Sequence, residues 1–355
     1  MVGTLGAGAI QLQTALTGVL QSLHSAPAMM LSLLAVISWD PLLPYFTGAF
    51  ILILGVSTVI KKEISSAHGV DKLLSFGPLF IAVPMAVFGA DHFVFAGSIT
   101  QLVPSWIPWH PFWVYFVGAC LIGGALSLSV RKYAALSAGL FGIMLLLFEV
   151  LIHFPKVASA PGDRFAWAVA LRELVFAWSA LSFAVTQAVE RGTHGARTVI
   201  TLGRFFIGLP IIFFGVEHFL HPEFKPAVPL NGLTPLWIPA RLYWGYLTGA
   251  VLAVTGLCLI ANKKGQAAAT WLGVFLFLLV VGIYVPITIA RPSAIGDGLN
   301  YLADTLLLSG SALCFARAQR EKAADATLSA SKMDNLRESD SSRPATAPTI
   351  NISRT

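Results

Sequence analysis

Apolar stretches of about 20 residues, each long enough to cross a bilayer, recur along the whole chain. They lie at 42–60, 74–95, 112–130, 134–154, 170–188, 202–220, 243–262, 268–289 and 299–317. Nine such stretches in 355 residues leave too little polar surface to cover them in water. Charged residues make up 11% of the chain and hydrophobic residues 56%, where a soluble domain carries about 25% charged residues. The mean hydropathy is +0.76. The expected class is therefore an all-α polytopic membrane protein, with the lipid bilayer as its first partner. Extensive disorder, a secreted disulfide scaffold and a nucleic-acid binder are excluded. The net charge of +6 comes from scattered basic pairs rather than one basic face. Cys120, Cys258 and Cys314 lie in apolar stretches without a C-x-x-C pair, and read as small buried hydrophobes.

The second constraint is an internal duplication. Trp106–Pro155 aligns without gaps on Trp237–Pro286 at an offset of 131, with 18 of 50 positions identical. The identities include Trp106-Ile107-Pro108 with Trp237-Ile238-Pro239, Trp113 with Trp244, Tyr115 with Tyr246, Gly118 with Gly249, Lys132 with Lys263, and Pro155 with Pro286. Upstream, Gly89-Ala90-Asp91-His92-Phe93 matches Gly215-Val216-Glu217-His218-Phe219, with the following loop five residues longer in the second copy. Each copy holds four candidate helices. An even number preserves orientation, so the copies should be parallel repeats about an axis along the membrane normal. The span 42–60 imitates the second helix of a unit and stands outside both copies. The resulting division is an uncharged N-terminal segment at 1–41, an extra membrane helix at 42–60, a first unit at 72–190, a second at 200–318, and a disordered tail at 319–355.

Residues 1–39 hold no Asp, Glu, Lys or Arg. They lack the basic n-region of a signal peptide and read as an interfacial or re-entrant segment, with a tenth membrane helix as the alternative. Lys and Arg number 17 on the side of the tail and 6 on the other, which puts the C-terminus in the cytoplasm by the positive-inside rule. Most Trp residues fall at the opposite interface, as belt anchors.

Ionisable groups inside a bilayer are costly, so their positions carry information. Asp91 and His92, and Glu217 and His218, end the first helix of each unit. Glu149 and His153 share a helix face at i, i+4. Arg172 and Glu173 open the fourth helix on the same side. In the second unit Glu149 becomes Val280, His153 becomes Tyr284, and Arg172-Glu173 becomes Asp304-Thr305. The first unit has the fuller acid–base set, and these groups could converge in one outward-facing pocket. Catalytic candidates are Asp91, His92, Glu149 and His153, and binding candidates are Arg172, Glu173, Glu217 and His218. Four readings stay open: charges that neutralise one another and pin the bundle; a pocket for a quinone headgroup, with His donating or accepting hydrogen bonds and carboxylates moving protons; ligation of a metal or haem by His92, His153, Asp91 and Glu149, whose imidazoles and carboxylates suit iron or zinc; and a transport path. No P-loop, dinucleotide fingerprint, G-x-S-x-G or H-E-x-x-H is present.

The repeat unit resembles the DoxX/DoxD-like membrane family. The resemblance lies in the G-x-x-H-F helix end (Gly89–Phe93 and Gly215–Phe219), a loop with Pro and Trp, a Tyr-x-x-Gly-Ala second helix and a third helix ending in Pro. It implies four helices per unit and a bacterial plasma membrane. It also implies a membrane subunit of quinone-linked electron transfer, with a partner redox subunit. Carried over, Asp91-His92 and Glu217-His218 become functional positions. This chain departs from the single-unit form by its duplication, by its extra segment and by lacking a cysteine pair, so direct thiol oxidation does not follow. The alternatives are a non-catalytic membrane scaffold for a partner enzyme or a small-solute transporter.

Overall fold

The computed structural model describes residues 42–65, 67–188 and 194–341. The expected interfacial segment at 1–41 and the last residues of the expected tail lie outside them. Among the described residues the chain is all-α, with nine helices long and apolar enough to cross a membrane. We number these α1 (Leu43–Val59), α2 (Gly77–Val94), α3 (His110–Val130), α4 (Ala134–Phe148), α5 (Arg164–Ala188), α6 (His194–Leu220), α7 (Arg241–Ile260), α8 (Gly265–Leu279) and α9 (Leu299–Ser341). Their lengths and apolar faces make the protein a polytopic helical membrane protein. No strand is present among the described residues, only an isolated bridge between Phe224 and Leu233.

Pairing follows a repeated pattern. Helix α2 packs on α3 and α4 on α5, and α6 packs on α7 and α8 on α9. Across these pairs α2 lies on α9, α6 on α5, and α5 on α9. Helices α2 and α9 are the most enclosed, while α1, α3 and α4 turn mostly apolar side chains outward.

Local details recur 131 positions apart. Trp113 Nε1 donates to Pro108 O at 3.1 Å, and Trp244 Nε1 to Pro239 O at 3.2 Å. The helix entries Trp109 and Ala240, the exits Arg131 and Asn262, and the entries Tyr133 and Lys264 all hold positive φ of 52–61°. Left-handed backbone at a non-glycine residue costs about 1–2 kcal/mol. The three corners therefore turn the same way at equivalent places despite different side chains. Glycine does the close packing: a Cβ at Gly89 would lie 3.0 Å from Gly118 O, and one at Gly215 2.9 Å from Gly249 O. Where no water drives association, such close backbone approach supplies the contact.

Three features depart from the sequence reading. After α4 and α8 the chain forms single π-helical turns, Glu149–His153 and Val280–Tyr284, before the short helices Phe154–Ser159 and Val285–Ala290. Pro155 and Pro286 explain them. A helical proline has no N–H and its ring clashes with the carbonyl four residues back. The wider turn relieves this, with Phe154 N bonded to Glu149 O. Secondly, α5 starts at Arg164 rather than 170, because Asp163 Oδ1 caps Phe165 N at 2.9 Å and Ala166 N at 3.2 Å. Arg172 and Glu173 therefore sit more than two turns inside the helix and do not open it. Thirdly, α9 continues to Ser341 where a disordered tail was expected from 319. The stretch is rich in Ala, Lys, Glu and Arg, all good helix formers, and Arg317 pairs with Glu321 at i, i+4. Of the cysteines, Cys314 is buried but Cys120 is exposed on α3.

Candidate functional site

One end of the bundle carries the candidate residues, and they divide into three groups instead of one pocket. The first group centres on Arg172 of α5. Its guanidinium reaches Glu173 Oε1 at 2.8 Å and Asp304 Oδ2 of α9 at 2.7 Å. Glu149, in the π turn, lies close enough to Glu173 for the two carboxylates to repel, and His153 lies within the field of Arg172. The π turn thus places Glu149 near Glu173 and His153 near Arg172. Asp304 was noted only as the residue replacing Arg172. The structure pairs it with Arg172, so the two aligned positions face each other across α5 and α9.

The second group is Asp91, buried on α2 beside the side chain of Asn300 near the start of α9. Asn300 and Asp304 are four residues apart on one face of α9, so Asp91 approaches the Arg172 group only through that helix. His92 does not join it. Its Nδ1 donates to Phe88 O at 2.7 Å, one turn back in its own helix, and its Cβ lies against Gly118 of α3.

The third group belongs to the second unit. Glu217 accepts from Arg164 of α5 at 3.1 Å, and Arg164 also donates to Pro229 O at 2.6 Å and Asn231 Oδ1 at 2.5 Å. His218 is fully buried, with Nε2 donating to Ala227 O at 3.2 Å. Tyr284, the counterpart of His153, donates to Pro226 O. All three acceptor carbonyls come from one inward-folded stretch, residues 225–230, every one of them buried. Lys225 anchors it. Its fully buried ammonium bonds the Asp297 carboxylate and the Asp297 carbonyl at 2.6 Å, and lies 4.1 Å above the centre of the Tyr301 ring. Burial pushes the Lys225 ammonium below the usual lysine range, against the opposing pull of Asp297. Tyr301 in turn accepts from Gly232 N at 2.7 Å. The longer loop of the second sequence copy thus folds inward as a plug. The sequence reading missed Arg164, Lys225, Tyr284 and Asp297 as its fasteners. The loop-length difference was the one signal that could have found them.

In the first unit the corresponding loop, 95–109, is shorter and mostly exposed, and forms only the small helix Ala96–Thr100. There Asp91 Oδ1, Glu149 Oε2 and Arg172 Nε are buried without a hydrogen-bond partner; in the second copy His218 Nδ1, Thr248 Oγ1 and Asn300 Oδ1 are in that state. Among the described residues, no three or more His, Cys, Asp and Glu side chains are grouped to hold a metal ion. Two clefts lie away from this cluster. One of about 340 Å³ is at the opposite end, between Lys62, Asp71 and Arg317; one of about 390 Å³ lies along Leu236–Tyr243.

Comparison with family models, with curated proteins and with solved structures finds no match to this chain.

Proposed function

We propose that the protein is a membrane subunit of DoxX-like type, built from two parallel four-helix units plus α1. Its first unit holds the working site, for a quinone headgroup. The recurrence of the proline-linked π turns, the left-handed corners and the glycine contacts at one offset supports the two-unit arrangement. The observation that carries the functional reading is the pair of unpartnered buried atoms around Arg172. Arg172 Nε is a donor without an acceptor, and Glu149 Oε2 an acceptor without a donor. Burying either unpaired costs about 1–3 kcal/mol. A quinone carbonyl takes the first and a hydroquinone hydroxyl gives to the second. Quinone reduction consumes two electrons, supplied in this reading by a partner redox subunit, and two protons. Glu149 and His153 would carry those protons, and Arg172, held by Glu173 and Asp304, would orient the ring. The second unit, plugged by its own loop, has a structural role. The orientation that follows puts the site on the outer side of a bacterial plasma membrane and the Lys/Arg-rich end in the cytoplasm.

The test is equilibrium binding of a short-chain quinone to the purified full-length protein, followed by tryptophan fluorescence. Glu149→Gln and His153→Gln should each weaken binding about tenfold, the equivalent of one lost hydrogen bond of about 1.4 kcal/mol, with melting temperature unchanged. Absence of binding to the wild type sinks the proposal. One observation favours a second reading, a membrane scaffold: Arg172 is already engaged by two carboxylates, as a purely structural pin would be. A scaffold would keep its partner after both substitutions.

A further inference from the structure

The end of the bundle opposite the candidate site gathers many of the Lys and Arg side chains, and three of them pair with carboxylates. Arg131 pairs with Glu63, Arg320 with Asp71, and Arg317 with Glu321. Among the described cations without such a partner, one group is held close together. Arg197, Thr201 and Arg204 of α6 follow one another at i, i+4 and i+7, along a single helix face. Lys322 of α9 crosses to them and donates to Thr201 Oγ1 at 2.6 Å. Both arginines lie close enough to repel its ammonium. Thr201 spends its own hydroxyl proton on Arg197 O, at 2.6 Å. Among the described residues none of these three cations has a carboxylate in salt-bridge range. Arg197 Nε and Arg204 Nε are buried without an acceptor. Three like charges held together on two helices, with two guanidinium donors unspent, is an arrangement an anion would complete.

The surroundings identify the anion's class. Leu202, Phe205, Phe206 and Leu209 form an exposed apolar strip on α6, about a third of a turn round the helix from the arginine face. Phe206 is braced by stacking on Trp178 of α5, with ring centres 4.6 Å apart. A soluble oxyanion has no use for such a strip, whereas an acyl chain lies along it. We infer that Arg197, Arg204 and Lys322 form a binding site for the phosphate headgroup of an anionic phospholipid, with Thr201 holding Lys322 in place and the α6 strip taking an acyl chain. The site is independent of the quinone reading, since it lies at the other end of the helices.

Full-length protein in mild detergent, freed of bound lipid, provides the test. Melting temperature is followed on titration with phosphatidylglycerol, phosphatidylcholine or inorganic phosphate, and native mass spectrometry counts retained lipid. Phosphatidylglycerol should stabilise and be retained, and phosphatidylcholine should not. Each lost cation should weaken the apparent affinity about fivefold, from about 1 kcal/mol per basic side chain near a lipid surface at 1.4 kcal/mol per tenfold. Arg197→Gln with Arg204→Gln should therefore nearly abolish the effect. Lys132→Gln, at the same end but outside the group, should leave it intact. If the double variant does not fold, Lys322→Gln decides by the same fivefold change. Stabilisation by inorganic phosphate matching that by phosphatidylglycerol would keep the oxyanion site but assign it to free phosphate. Equal effects of the two lipids, or equal loss in Lys132→Gln, would overturn it.

Discussion

Arg172 is the residue whose removal should hurt the fold most. Its side chain is 18% exposed, and its partners Glu173 and Asp304 are 11% and 8% exposed. With nitrogen–oxygen contacts of 2.7–2.8 Å, the charge centres are roughly 4 Å apart. At an effective dielectric of about 20 each pair is then worth about 4 kcal/mol before desolvation. Arg172→Met removes both attractions and leaves Glu173, Asp304 and nearby Glu149 repelling one another. Breaking a buried pair in this way costs about 3–5 kcal/mol. For a chain of this size that corresponds to a melting temperature lower by on the order of 10 °C. The assay is thermal unfolding in detergent, read by tryptophan fluorescence. The exchange Arg172→Asp with Asp304→Arg should recover most of the loss, because the two positions face each other from α5 and α9. If Arg172→Met melts within about 2 °C of wild type, or the exchange is no better than either single change, the triad does not hold these helices together.

Other outcomes follow from the same structure. The Lys225 pKa is lowered by burial, so the folded state releases its proton before the unfolded chain does. The penalty for the buried ammonium is fully present below the folded pKa and fades as pH rises through it towards the unfolded value. The melting temperature of wild type relative to Lys225→Met should therefore climb with alkaline pH, and a flat or falling difference would contradict the buried charge. Gly215→Leu forces a side chain where a Cβ already meets Ala253 N at 2.8 Å. It should cost at least about 1–3 kcal/mol and cut the yield of folded protein, seen as a loss of the monodisperse peak in size-exclusion chromatography. Tyr284→Phe leaves the Pro226 carbonyl buried and unpaired, at about 1–3 kcal/mol. The loop at 221–240 should then become more sensitive to limited proteolysis, while cleavage at 95–109 stays as it was.

Much of the architecture is legible in the sequence because lipid makes simple demands. Helix length and apolarity revealed all nine long apolar helices found among the described residues. The gapless register of Trp, Pro, Gly and Lys showed where the two copies correspond, but not the left-handed corners or the π turns that recur at those places. Side-chain direction was harder to read. Asp91 and His92 are adjacent, yet one turns to α9 and the other to its own helix, a choice set by how α2 packs between α3 and α9. Glu149 and His153 begin and end one π turn, a geometry that i, i+4 spacing on a regular helix does not foretell. The Arg172–Asp304 pair needed knowledge of which helices meet. The plug needed the fold of a loop whose composition, Pro-Ala-Val-Pro-Leu, looks like an ordinary connection.

The Arg172–Asp304 contact bears on why two units share a chain. In the proposed arrangement these are the same position of two copies, meeting near the axis that relates them. A pair of identical single units around a two-fold axis would bring each residue against itself: arginine on arginine, or aspartate on aspartate. Either like-charged junction is unfavourable when desolvated. Only when the copies are free to diverge can one carry the cation and the other the anion. On that reading, covalent fusion gives the assembly an asymmetric lock that a residue meeting its own symmetry mate cannot form, and neither half could be replaced by a second copy of the other.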